Sequence, residues 1–199
     1  MSTYACLAAL VPSKKQPAIR VKVVRTWMGP FGSIRPNTCL VFGDEKGSMI
    51  EATLPWGVVL PFGITLDEGD WFEILDFKLN HAFGLIRTTR NKYHIKLTHD
   101  SVVTKIQPIT KCNFLNCASY KTILRGLSHP MFCIGLCGAL VEVDDIQDFT
   151  EAQAYQFNIG NQPRRIRHLT NIEGCSDILF DPEIAEINYF KSMIPFTTF

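Results

Sequence analysis

The stretch "IRVKVVRTW", residues 19–27, alternates apolar and polar residues and carries three basic side chains in nine positions. Side chains on a strand alternate between faces, so Ile19, Val21 and Val23 point one way while Arg20 and Lys22 point the other. The stretch reads as a strand with one buried face and one basic face, closing in Arg25 and Trp27. A basic sheet face suits an anionic partner.

Working outward, "MGPFGSIRPN" (28–37) is rich in Gly and Pro and reads as a loop. "TCLVFGDEKGSMIEATL" (38–54) reads as two strands joined at "GDEKG", where Asp44 and Gly47 supply the turn chemistry. "PWGVVLPFGITL" (55–66) reads as a short helix or a covering loop, and "GDWFEILDFKL" (69–79) as a strand with Trp71 packing at its start. "NHAFGLIRTTRN" (80–91) is a turn with a strand start, and "KYHIKLTHDSVVTKI" (92–106) a last strand. Five strands with one irregular piece between the third and fourth give the order of an OB-fold. That fold is a partly open Greek-key barrel whose exposed strands and loops bind oligonucleotides. A sandwich would need seven or more strands. The expected core is Val21, Val23, Leu40, Ile50, Leu54, Ile74 and Ile95.

"PITKCNFLNCASYKTILRGLSHP" (108–130) reads as a connector, after which the pattern restarts. "MFCIGLCGALVEVDDI" (131–146) reads as a long strand, "RRIRHLTNIEGCSDILF" (164–180) as a hairpin, and "DPEIAEINYFKSM" (181–193) as a helix with Ile184, Ile187 and Phe190 on one face. The expected organisation is an all-β chain with an OB-fold barrel over 1–108, a linker over 109–130 and an incomplete second OB-like unit over 131–199. The missing strands leave positions empty or filled by the chain end, including Phe196.

Charge and composition narrow the partners. The chain of 199 residues has a formal net charge of +1, but residues 1–108 carry 13 Lys/Arg against 9 Asp/Glu, and residues 109–199 carry 7 against 10. The halves are thus +4 and −3, which permits an anionic partner for the first without demanding one. The N-terminus lacks the pattern of a signal peptide, and no apolar run approaches the roughly 18 residues of a spanning helix, so no membrane partner is expected. Seven cysteines, an odd number, suggest free thiols in the cytosol or nucleus. Cys112, Cys117, Cys133 and Cys137 form two close pairs, but "CIGLC" reads as continuing strand, so buried free thiols are expected rather than a zinc site. The acidic run Glu142, Asp144, Asp145 and Asp148 reads as a solvated edge, and His94 and His99 near Asp100 form no catalytic pattern. Nucleophile-elbow, zinc-protease and phosphate-loop motifs are absent, so no catalytic residue, metal or cofactor is expected.

The ordered set "IRVKVVRTW", "LVFGDEKGSMIEATLP", "LDEGDWFEILDFKL" and "IRTTRNKYHIKL" resembles the first DNA-binding OB domain of the replication protein A large-subunit family, in particular its plant members. The resemblance covers roughly residues 4–108, and the second half resembles the start of the next OB domain. It implies binding of single-stranded DNA, or RNA, without catalysis, in replication, repair or recombination, in the nucleus, alongside partner subunits. Such binding uses a basic groove and aromatic platforms under successive bases. Carried over by position, the groove takes Arg25, Trp27 and Arg35, with Arg20 and Lys22 tracking phosphates. The family's stacker after the third strand falls on Pro55, with Trp56 one residue later. Its second aromatic falls on Ile86 beside Arg87, with Phe83 three residues earlier, and the stacker of the second copy falls on Phe180. The departures at Pro55 and Ile86 keep open a second reading, an OB module that has lost its stacking residues and binds a protein.

Overall fold

The computed structural model describes residues 4–29, 33–84, 86–115, 117–129, 131–138, 176–177, 179 and 182–193. It has β1 (Ile19–Met28), β2 (Thr38–Gly43), β3 (Met49–Leu54), β4 (Trp71–Leu75), β5 (Lys78–His81), β6 (Tyr93–Lys96) and β7 (Val102–Ile106), with α1 (Tyr120–Leu124) and α2 (Ala185–Met193). The strands form one sheet in the order β5-β6-β3-β2-β1-β4-β7, antiparallel except for the β3–β6 pair.

The strands β4 and β5 lie far apart in that order, yet only Asp76 and Phe77 separate them in sequence. The sheet must therefore curl so that one kinked stretch pairs with β1 through β4 and with β6 through β5. Asp76 makes the kink with a left-handed φ of 52°, and buried Phe77 anchors it inside. Taken as one kinked strand, 71–81 completes the five-strand path of an OB-fold, with β7 added beside β4.

The interior follows the alternation. Val21, Val23, Leu40, Ile50, Ile74 and Ile95 are fully buried, and Leu54 packs partly buried against them. Leu7 and Leu10 join the same cluster from the N-terminal segment. That segment is tied down by the β2–β3 turn, where buried Asp44 accepts hydrogen bonds from Lys46 N at 3.0 Å and Ser48 N at 2.9 Å through Oδ1. Its other oxygen, Oδ2, accepts from Leu7 N at 2.8 Å and from the Cys6 thiol at 3.0 Å.

Several expectations need correction. The last strand is two, because Thr98–Ser101 close a turn in which Ser101 Oγ accepts from Thr98 N at 2.9 Å. The residues after it, β7, therefore pair with β4. Of the two readings of "PWGVVLPFGITL" the covering loop holds, with a single 3-10 turn at Pro61–Gly63, since its prolines and glycines deny it a helical ladder. The connector contains α1, capped by Ser119. Residues 131–138 hold only isolated bridges at Phe132 and Gly135, not the start of a long strand. The expected burial of the thiols fails for Cys112, Cys117 and Cys133, which are exposed, while Cys137 is half-buried; of these, Cys133 and Cys137 lie where the strand was expected. The expected strands over 139–175, together with Phe180 and Phe196, lie outside the described residues.

Two compact units divide the chain, Met1–Phe114 with Pro130–Cys133, and Leu115–His129 with Ile134–Phe199. In the first, the chain leaving β7 returns over the outward side of β1. Lys22 Nζ donates to Cys112 O at 3.2 Å and lies 5.8 Å from the Phe114 ring. A Cβ at Gly43 would stand 2.4 Å from that ring, so glycine is what lets Phe114 seat. Phe114 holds a left-handed φ of 57°, a conformation that must be offset by its burial. Gly43→Val is expected to expel the ring, lower stability by about 1–2 kcal/mol, and speed trypsin cleavage after Lys111. Unchanged cleavage would show that the seat does not hold the segment.

Candidate nucleic-acid interface

Strict period two would put Arg25 and Trp27 on the same side as Val21 and Val23. Register shows otherwise. Val23 pairs with Phe42, but Arg25 pairs with Val41, so Val24 is an extra residue in a β-bulge. After the bulge Arg25 and Trp27 share the outward face with Arg20 and Lys22, while Thr26 faces Leu40.

Two outward rows then cross the sheet. One runs Arg25–Val41–Glu51–His94–Asn80, and the other Trp27–Cys39–Thr53–Lys96–Lys78. Thr53 Oγ1 and His94 Nε2 are 2.8 Å apart. Burial holds the His94 imidazole below its usual pKa, with Glu51 opposing and Arg87 and Lys96 adding to the shift. Burial, then the Glu51 carboxylate, pushes the Cys39 thiol up.

At one end of this face, along the strand direction, stand Arg35, Asn37 and Trp56. Gly57 takes a φ of +79°, which lets Val58 N reach Pro55 O at 3.1 Å and leaves Trp56 projecting, 55% exposed. Asn37 fixes both Trp56 and Gly29, accepting from Trp56 N at 3.0 Å through Oδ1 and from Gly29 N at 2.8 Å through its carbonyl. The Arg35 guanidinium sits 4.8 Å from the Trp56 ring centroid. A cation and an aromatic plane thus stand together at the end of the face.

The β5–β6 loop (82–92) closes the other end, because β6 runs parallel to β3 and enters beside Glu51. Glu51 Oε1 accepts from Thr88 N at 2.5 Å, Thr88 Oγ1 at 2.8 Å and Thr89 N at 3.2 Å, which fastens the loop to the sheet. Phe83 is 84% exposed and Ile86 also faces solvent. Arg87 donates from a guanidinium nitrogen to Asn91 O.

The site residues expected from sequence thus separate into groups. Trp27, Arg25, Arg35 and Trp56 come to one face and its end, while Phe83 and Arg87 stand on the opposite loop. Arg25 is ion-paired with Glu68 at 3.1 Å, and Glu68 also accepts from Thr26 N at 2.7 Å. Arg20 and Lys22 lie on the half of β1 that pairs with β4. Arg20 stacks 3.6 Å above the Tyr4 ring and lies 3.8 Å from Glu73, which accepts from Tyr4 OH at 2.6 Å. Lys22 is engaged by the returning chain. Sequence reading missed Lys96 and Lys78, which only the β3–β6–β5 register places beside Thr53. It also missed Glu51, whose role depends on a loop far along the chain.

Curled sheet, parallel third and fifth strands of the OB path, and an outward face between two loops define an OB-fold protein with a face suited to an extended ligand. The family model of the domain of unknown function DUF223 matches residues 8–126, and the chain belongs to that family. No curated protein matches the chain. Among solved structures, an OB domain from Methanosarcina mazei is 16% identical with a TM-score of 0.39, the match covering 53% of this chain and 85% of that one. DNA-binding domain A of Saccharomyces cerevisiae replication protein A is 18% identical with a TM-score of 0.38, the match covering 54% and 97%. A replication protein A heterotrimer bound to single-stranded DNA is 17% identical with a TM-score of 0.45, the match covering 58% of this chain and 28% of that one.

Proposed function

We propose that this chain binds single-stranded nucleic acid on the outward face of β1–β2–β3–β6, as a non-catalytic subunit of a replication protein A-like complex. On this reading it works on DNA in replication, repair or recombination, in the nucleus, with partner subunits. The observation that carries it is the bulge that turns Arg25 and Trp27 onto the face ended by the Arg35–Trp56 pair. Single-strand binding needs cations that track a backbone and aromatic planes that take bases in succession, and these residue types converge there. Lys78 and Lys96 extend the cationic track. The proposal takes 1–108 as the binding domain, 109–130 as linker and 131–199 as a second, partial unit with Phe180 as its stacker.

The test is a titration of the full chain with single-stranded DNA of about 12 nucleotides, within the span of one OB-fold, against the same RNA and a duplex. With three or four phosphate contacts, affinity should fall about 20- to 50-fold from about 50 to about 200 mM salt. No binding at the lower salt overturns the reading. A second reading, a protein-docking OB module, is favoured by the strand-like seating of Met131–Cys133 on Arg87. It calls for binding of an extended peptide with little salt dependence.

A further inference from the structure

The β5–β6 loop carries an arrangement that neither the alternation nor the family's pattern assigns. The guanidinium carbons of Arg87 and Arg90 lie 5.5 Å and 5.2 Å from the ring centroid of Phe132. The ring is brought there by a short parallel bridge, in which Arg87 N donates to Met131 O at 2.7 Å and Cys133 N donates to Arg87 O at 2.9 Å. These residues belong to the same compact unit as the barrel, although more than forty positions separate them in sequence. Arg87 Nε is buried and has no hydrogen-bond partner among the described residues. Glu51 and Asn91 hold the loop that presents both arginines.

We propose that Arg87 and Arg90 form a base subsite of the interface, and that the chain's own Phe132 fills this subsite until a nucleobase displaces it. The inference rests on the single-strand-binding reading. A guanidinium holds an aromatic by its face and does not distinguish a phenyl ring from a base. The two ligands differ in what comes with the ring. Phe132 brings two backbone hydrogen bonds, whereas a nucleotide brings a phosphate to two arginines and an acceptor for the orphaned Nε. Exchange therefore favours the nucleotide wherever other contacts already hold the strand on the face. Ile86, which stands where the family carries an aromatic, puts no ring next to Arg87 in sequence, and the loop's own Phe83 projects into solvent. Phe132 supplies that ring from downstream, as a plug.

The test uses the full chain and a single-stranded thymidine oligonucleotide of about 12 nucleotides. Phe132→Ala should bind it about 5- to 30-fold more tightly, the factor by which two cation–aromatic contacts bias a closed state. Arg90→Ala should weaken binding, and adding Phe132→Ala to it should give a smaller gain than Phe132→Ala gives in the wild type. In the wild type, adding the oligonucleotide should speed hydrogen exchange at the Cys133 amide, because the bridge opens. That measurement is independent of any folding defect in the variants. If the wild type binds but Phe132→Ala binds equally or more weakly, Phe132 is a platform or a bystander, and the plug is overturned while the binding reading stands. Slowed exchange at Cys133 on binding overturns it likewise. If no variant binds at low salt, the binding reading has failed and the subsite falls with it.

Discussion

Asp44→Ala is expected to lower the unfolding free energy by about 3–4 kcal/mol, measured as a shift in the midpoint of chemical denaturation at constant slope. One buried carboxylate accepts from three backbone amides and a thiol, drawn from two places in the chain. Lys46 and Ser48 belong to the turn between β2 and β3, while Cys6 and Leu7 belong to the N-terminal segment that seals the barrel. Removing the carboxylate leaves amide donors without their acceptor, each costing about 1–3 kcal/mol where water cannot replace it. The total stays below the sum because the turn can open to solvent. Asp44→Asn keeps one oxygen and should lose less than half as much. A loss under about 1 kcal/mol would mean that the N-terminal segment is held by Leu7 and Leu10 alone.

Trp56→Ala is expected to weaken oligonucleotide binding about 5- to 150-fold while leaving the salt slope almost unchanged, because stacking releases few counterions. Its indole projects from a turn fixed by Gly57 and Asn37, so it is presented at little entropic cost. Arg25→Ala should behave differently: a smaller loss and a slope shallower by about 0.7, the share of one phosphate contact on a single strand. Arg25 must exchange Glu68 for a phosphate, which reduces its net gain. Equal slopes in wild type and Arg25→Ala, together with undiminished affinity in Trp56→Ala, would place the binding surface elsewhere.

The barrel was legible in the sequence because burial imposes period two on each strand and turn chemistry marks where strands end. Val21, Val23, Leu40, Ile50, Ile74 and Ile95 are buried as their alternation requires. What was not legible arose from interactions between segments. Arg20 and Lys22 read as cations that track phosphates, but Tyr4, Glu73 and the carbonyl of Cys112 meet them from distant parts of the chain. The split of the last strand depended on a side-chain hydroxyl, that of Ser101, capping a turn. Cys133 and Cys137 were placed by an expected strand over 131–146, and where residues 131–138 hold no ladder Cys133 is exposed and Cys137 only half-buried. At the site, residue types were readable while their grouping was not, since Lys96 joins Trp27 only through three successive pairings.

The extra residue at Val24 also governs how this strand can be compared with others. Ahead of it, odd-numbered positions answer to the core; beyond it, odd-numbered positions answer to the outward face. An ungapped match to a strand lacking the insertion would equate Trp27 with an interior position and Thr26 with an exterior one. Substitutions chosen from such a match would place charge inside the barrel and aliphatic carbon on its outward face. A one-residue gap at Val24 restores the correspondence, and the same parity change makes deletion of Val24 a frameshift in space rather than in code.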